Sequence, residues 1–364
     1  MRWAVRDEAV LRFLAETGLT SSDQLLIRRA TPTEYRIGPT WNGLRFIDLF
    51  AGIGGIRMAL ENAGGKCVFT SEYDELAQQT YAANFGDVPA GDITEIDAKD
   101  IPEHDLLAAG FPCQPFSIIG NRKGFQDSTR GTLFFDIERI LKTHRPAAVL
   151  LENVKQFRTH DKGRTCEVVL QSLRDLGYHT HVKVLNALDF GVAQRRERIF
   201  IVGFQKAIEF NFPEPYHWNP SLSTVFEHDD AIDPKLIASK MIQEKRLKRA
   251  AEQNKTPFYP SMWHENKGGH IGMHPYSCAL RHNASYNYLL VNGKRRPSGR
   301  EMLRLLGIPD TFVIPVGHTA IRAQCGNCVA VPKITAIAAR MSLAMKLNQK
   351  QELKPRQLTL ALDG

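Results

Sequence analysis

Five short apolar runs constrain this chain more than any other feature: RFIDLFAG at 45–52, KCVFTSEYD at 66–74, DLLAAGFPC at 105–113, AAVLLENV at 147–154 and RIFIVGF at 198–204. Helical patterns lie between them, and strands alternating with helices indicate a parallel, doubly wound α/β sheet. Between the first two runs, IRMALENAGG carries apolar residues at helical spacing and stops at Gly64-Gly65, so 45–74 reads as a βαβ unit. With 364 residues, 43% of them apolar and 24% charged, the chain has the material for a large core in one domain or two.

Beyond Phe204 the texture changes to NFPEPYHWNPSLS, which places a domain boundary near residue 205. A basic helical stretch, KMIQEKRLKRAAEQNK, follows. The next region mixes Gly, Tyr, His and Arg, with Asn292-Gly293 marking a tight turn after an apolar run, and reads as irregular β structure. In VPKITAIAARMSLAMKL, residues Ile334, Ile337, Ala338, Met341 and Met345 share one helical face, so the chain ends by returning a helix to the core. At the other end, DEAVLRFLAETGL reads as a short amphipathic helix and SSDQLL as the start of another. The organisation expected is an N-terminal arm (1–43), a sheet domain (44–204), a second domain (205–317) and a returning segment (318–364).

Lys and Arg number 47 against 39 Asp and Glu, a net charge of +8 that suits a polyanionic partner without requiring one. No uninterrupted apolar run is long enough for a bilayer, and MRWAVRDEAV lacks the apolar core of a signal peptide, so a cytosolic protein is expected. The six cysteines, at 67, 113, 166, 278, 325 and 328, are irregularly spaced. In that compartment they stay reduced and serve packing or chemistry.

The candidate chemistry gathers at strand ends. FIDLFAGIGG runs a strand into Gly52, Gly54 and Gly55 before a helix, a turn that lets a ligand approach the backbone. The third glycine of the dinucleotide fingerprint is replaced by Arg57, which disfavours NAD. Twenty residues beyond Gly52, Glu72 can accept both hydroxyls of a ribose, Tyr73 can stack on a purine, and Asp92 can meet an exocyclic amine. Cys113, between two prolines at a strand end, is a core thiol, a metal ligand or a nucleophile. Its place at the carboxyl edge of the sheet favours the last, given nearby groups that stabilise a thiolate; Arg195, Arg196 and Arg198 are candidates. Glu152 ends a very apolar run at the same edge, where it can share or donate a proton. Thiol, carboxylate and arginines beside an adenosine pocket fit addition to an electron-poor ring followed by group transfer.

The ordered series FAGIGG, SEYD, GDIT, GFPCQPFS, RGTLFFDI, LLENV, QRRER, REMLRLLGIPD and QCGNCVAVP resembles the C5-cytosine DNA methyltransferases of bacterial restriction-modification systems. The resemblance implies a Rossmann-like, mostly parallel S-adenosylmethionine-dependent domain and a smaller, irregular β-rich target-recognition domain. It assigns the cofactor to Phe50, Gly52, Gly54, Glu72, Tyr73, Asp92, Ile93, Pro112, Leu133 and Asn327, with S-adenosylhomocysteine as product and no metal. Cys113 would attack C6 of a flipped-out cytosine, Glu152 would engage N3, and Arg196 and Arg198 would hold the base. SIIGNRKGFQDSTRG would be a mobile loop closing over DNA. Ser117, Arg122, Gln194, Arg281 and Arg300 would touch double-stranded DNA, and Lys294, Arg295 and Arg296 could add phosphate contacts.

Tyr73 stands where the family commonly has tryptophan, and Ser298-Gly299 where Thr-Pro is common. The resemblance further implies a monomer in the bacterial cytoplasm, held at the nucleoid through DNA, with no membrane and no stable protein partner. It would work alongside a restriction endonuclease. Cys325 and Cys328, a CxxC without a second pair, read as small packing residues. His264, His270, His274 and His282 read as DNA contacts or loop packing. Rival readings are an RNA (tRNA) cytosine-5 methyltransferase, a catalytically inactive DNA-binding relative and a nicotinamide-dependent oxidoreductase.

Overall fold

In a computed structural model of the chain, residues 25–29, 35–39, 43–112, 133–215, 220–266 and 268–352 are described. Strands β1 (Leu25–Arg29) and β2 (Tyr35–Pro39) form an antiparallel pair beside the last helix. Leu25 and Leu26 are therefore in a strand and not at the start of a helix, as SSDQLL had implied. The stretch DEAVLRFLAETGL lies outside the described residues.

The main sheet has six strands: β3 (Arg45–Leu49), β4 (Lys66–Ser71), β5 (Leu106–Gly110), β6 (Ala148–Val154), β7 (His179–Asn186) and β9 (Glu197–Phe204), in the order β4-β3-β5-β6-β9-β7. β4, β3, β5 and β6 are parallel, as expected from their alternation with helices. β9 runs antiparallel to both neighbours, which corrects the expectation for RIFIVGF. Only residues 187–196 join β7 to β9, too few for the crossover that parallel neighbours need. The sequence reading missed β7, whose HTHVKVLN is too polar for a buried run because it is the edge strand.

Side-chain alternation along the strands fills both faces. Phe46, Ala108, Leu150 and Val202 point to one side, against α1 (Gly55–Glu61) and α8 (Val331–Glu352). Ile47, Leu107, Val149 and Ile201 point to the other, against α3 (Phe134–His144) and α4 (Arg164–Asp175). On α8, Ile334, Ile337, Ala338 and Met341 are buried and Met345 packs beside them, the face read from the sequence. His318–Gln349 matches a membrane span by length and composition only. It is interrupted at Cys328–Ala330 between α7 (His318–Asn327) and α8, and most of it is buried in the protein, as a core helix is.

A second, three-stranded sheet has the order β11 (Ile271–His274), β10 (Met262–Glu265), β13 (Leu289–Val291). Its outer face makes a small core with α5 (Lys240–Glu252) through Trp263, Ile271, Leu290 and Ala250, and its inner face joins the large core through Met262, Leu289 and Val291. Asn292 and Gly293, at φ 53° and 71°, form the tight turn expected after β13. β12 (Ser277–Cys278) pairs parallel with β8 (Gln194–Arg195), tying this region to the mouth of the main sheet. α6 (Gly299–Arg304) opens on a capping box between Ser298 and Glu301.

Candidate active site

β3 leads into the glycine turn, and the turn is held from behind. One Glu72 carboxylate oxygen accepts the Gly52 N–H at 2.7 Å and the other accepts the Asp74 N–H at 2.9 Å. Burial pushes the Glu72 carboxyl above the ordinary range, although those two donors oppose it. Gly54 caps α1 at φ 83°, and a Cβ there would lie 2.2 Å from the Phe85 ring. A Cβ on Gly55 would lie 2.7 Å from the Cys328 sulfur, so this glycine lets the returning segment close on the turn. Tyr73, 73% exposed, presents its ring beside Glu72.

A cavity of about 470 Å³ opens at the carboxyl edge of the sheet. Phe50, Gly52, Glu72 and Tyr73 line it from the ends of β3 and β4, Pro112, Leu133 and Glu152 from beyond β5 and β6, Arg196 and Arg198 from the start of β9, and Asn327 from the returning segment, whose next residue, Cys328, lies against Gly55. Residues from widely separated stretches of the sequence are thus brought to one space. Cys113, Ser117 and Arg122 lie outside the described residues, as does the loop expected to close over DNA. Phe111 and Pro112, which lead to Cys113, line the cavity.

Glu152 sits on β6 between Gly110 of β5 and Phe200 of β9. Its carboxylate forms an ion pair with Arg198 Nε at 3.0 Å. That oxygen makes no aligned hydrogen bond, so the pair keeps capacity for a further donor. Asn153, for which the sequence suggests no role, donates from Nδ2 to the Phe111 carbonyl at 2.9 Å, fixing the backbone two residues before Cys113. Only its position beside Glu152 could have signalled this.

Arg196 does different work from Arg198. It is 1% exposed, and its guanidinium donates to the carbonyls of Leu280 (2.9 Å), Gly326 (2.9 Å) and Cys328 (2.6 Å). Burial and the neighbouring Arg198 lower it to about 10, so it remains a cation at neutral pH. Lys333, also buried, donates to the Arg196 carbonyl at 3.2 Å. The structure thus makes Arg196 a tie between the sheet, the second region and the returning segment.

Several expected residues lie elsewhere. Gly54, Asp92 and Ile93 are not in the cavity lining: Asp92 caps a short turn through Thr94, and Ile93 is core. Gln194 is fully buried, bonded to Leu305 O and Leu280 N, and presents no surface to DNA. Arg295 and Arg296 are also inside. Arg295 is paired with Glu301, and Arg296 donates to the Lys235 and Leu236 carbonyls while lying over Tyr286. Their terminal guanidinium nitrogens are taken by carboxylate and carbonyl acceptors inside the protein. Arg300 donates to Pro309 O and Phe312 O, whereas Arg281 is exposed, next to the cavity-lining His282.

Cys325 and Cys328 are buried, with thiols raised by burial, Cys328 to about 12. Among the described residues no group of three or more His, Cys, Asp or Glu side chains is arranged to hold a metal.

A mostly parallel sheet with an acid-held glycine turn, opening on a cavity with a buried carboxylate–guanidinium pair, defines a Rossmann-like enzyme of the methyltransferase class. Solved structures support the fold: Spodoptera frugiperda DNMT2 at TM-score 0.63 and 17% identity, covering 83% of this chain and all of that one, and an Escherichia coli prophage methyltransferase at 0.62 and 20%, covering 84% and all of it. The family described as C-5 cytosine-specific DNA methylase matches residues 44–343. Type II methyltransferase M.NgoBI of Neisseria gonorrhoeae is 55% identical over 297 residues, covering 82% of this chain and 92% of the relative. M.HaeII of Haemophilus aegyptius is 51% identical over 314 residues, covering 86% and 98%. The chain belongs to the C-5 cytosine-specific DNA methylase family, whose reaction is methylation of DNA cytosine at C5.

Proposed function

We propose that the protein is the modification enzyme of a type II system, methylating C5 of one cytosine within a specific duplex sequence and so shielding DNA from a companion endonuclease. The relatives named as type II methyltransferases support the biological setting. The observation that carries the chemistry is the cavity in which elements distant in sequence meet, with the Glu72-held turn on one side and the Glu152–Arg198 pair on the other.

The turn side fits an adenosine-bearing group. Gly52 adds no side chain, Glu72 keeps a second lone pair on each oxygen, Tyr73 offers an open ring face, and Phe50 and Asn327 complete the walls. S-adenosylmethionine, when bound, supplies the methyl group and leaves as S-adenosylhomocysteine. The Cys113 thiolate bonds to C6 of the cytosine, and the displaced electron pair makes C5 nucleophilic. C5 takes the methyl group. Loss of the C5 proton then returns an electron pair to the ring, and the S–C6 bond breaks to release the thiolate. Glu152 engages N3 while Arg198 orients its carboxylate, and the base must leave the stack to be reached.

In this reading residues 44–204 carry cofactor and chemistry, 205–317 recognise the target, 318–364 close the pocket and 1–43 form an arm. Arg281 contacts DNA, no metal takes part, and the enzyme works as a cytoplasmic monomer. Bisulfite sequencing of DNA from cells expressing the protein tests the proposal. One methylated cytosine in one sequence context is expected, and a genome without new 5-methylcytosine overturns it.

A further inference from the structure

The second sheet carries side chains that the reaction leaves unused. The β10–β11 register sets His264 opposite Gly272 and Met262 opposite His274, so both imidazoles share one face. Their rings stack with centroids 5.4 Å apart at 17°, and His274 stacks on Tyr276 at 5.0 Å and 13°. A Cβ on Gly272 would lie 2.0 Å from the His264 ring, so the imidazole lies flat against glycine backbone. Met262, Leu289 and Val291 seat this face on the large core, leaving the stack at its outer corner. β12 follows Tyr276 at once and pairs Cys278 with Arg195, which fixes the stack beside the cavity residues Arg196 and His282.

Cations dominate the surrounding charge. The strongest charge influences are His274, Arg281, His270 and Lys255 on His264, and Lys255 and Arg195 on His274. Lys255 Nζ contacts His270 Nε2 at 3.1 Å and donates to the Ile271 carbonyl. Arg281 lies over the Tyr288 ring, and Arg195 and Arg281 are both exposed. Glu265, the acid of β10, belongs to the opposite face and pairs with Arg246 and Arg249. Uncompensated cations gathered beside a substrate cavity make a surface for a polyanion.

We propose that the His264–His274 stack, flanked by Arg195 and Arg281, contacts a phosphate of the target duplex and takes up a proton when DNA binds. This rests on duplex DNA being the substrate. In the free protein, burial and then the neighbouring cations hold both imidazoles below their ordinary range. A phosphate supplies the missing negative charge and favours imidazolium, while repulsion between the stacked rings limits the pair to one proton. The complex therefore holds more protons than the free protein. Affinity rises as pH falls through the imidazole range and is flat above it.

The test is the Kd of a labelled duplex carrying the site mapped by bisulfite sequencing, measured from about pH 8 down to about pH 6. The wild type should tighten by up to roughly tenfold per pH unit in the lower part of that range, and a His264→Gln/His274→Gln variant should lose this dependence. Calorimetry of the wild type at about pH 6, in two buffers of different ionisation enthalpy, needs no variant, and should show uptake approaching one proton per duplex. A pH-independent wild-type Kd, zero proton uptake, or an unchanged slope in the variant overturns the proposal. No duplex binding at any pH would instead strike the DNA reading itself.

Discussion

Replacing Gly326 by alanine should separate two segments that the site needs in contact. A Cβ at this position would lie 2.2 Å from the backbone nitrogen of His282 and 2.5 Å from the carbonyl carbon of Arg281. Ordinary contact begins near 3.4 Å, so the two backbones must part by about 1 Å. Both are main chain, and neither can rotate away. The same movement strains the Arg196 guanidinium, which bonds Leu280 O on one segment and Gly326 O and Cys328 O on the other. Overpacking of this kind costs roughly 1–3 kcal/mol, and a weakened hydrogen bond to a buried charge adds about 1.5 kcal/mol or more. A loss of about 3 kcal/mol should lower the apparent Tm by roughly 5 °C. Because Asn327 and His282 both line the cavity, displacement by about 1 Å should also reduce kcat/KM on the order of 100-fold. Thermal melts and methyl-transfer kinetics measure the two effects. Gly317→Ala is the control: this residue caps the same helix at φ −70° with nothing within 4 Å of the added carbon. Equal Tm and kcat/KM in the two variants would refute the reasoning.

Other substitutions probe the remaining parts of the site. Cys113→Ala should abolish methyl transfer while duplex binding survives in a gel-shift assay; turnover by this variant rejects the covalent route. Glu152→Gln should lower kcat by about 100-fold or more in single-turnover kinetics, with little change in duplex Kd. Glu72→Ala frees the Gly52 and Asp74 N–H groups, and should raise the KM for S-adenosylmethionine by roughly 30-fold, about 2 kcal/mol, in initial-rate assays. Asp48 is wholly buried, and burial raises its carboxyl to about 8. With the folded pKa above the unfolded one, its contribution to stability is complete below about pH 4 and is lost as pH rises through about 8. Asp48→Asn should therefore gain Tm relative to the wild type as melts are moved from about pH 5 to about pH 8, and a constant difference would contradict this.

Much of this architecture is legible in the chain because it is local. The apolar runs became β3, β4, β5, β6 and β9, the helical spacing in 334–345 became the buried face of α8, and the glycines after Leu49 became the turn beneath the cavity. Period, turn chemistry and strand-end position are properties of neighbouring residues, so sequence alone carries them. The division of labour among the arginines is different. Arg196 and Arg198 stand two residues apart in QRRER, yet one ties three carbonyls together inside the protein and the other meets Glu152 in the cavity. Gln194, Arg295 and Arg296 likewise look like surface groups in the sequence and are buried in the fold. The orientation of β9 and the stacking of His264 on His274 belong to the same class. In each case the deciding partner comes from a distant segment, and a polar side chain turns inward only where such a segment supplies the acceptor that replaces water.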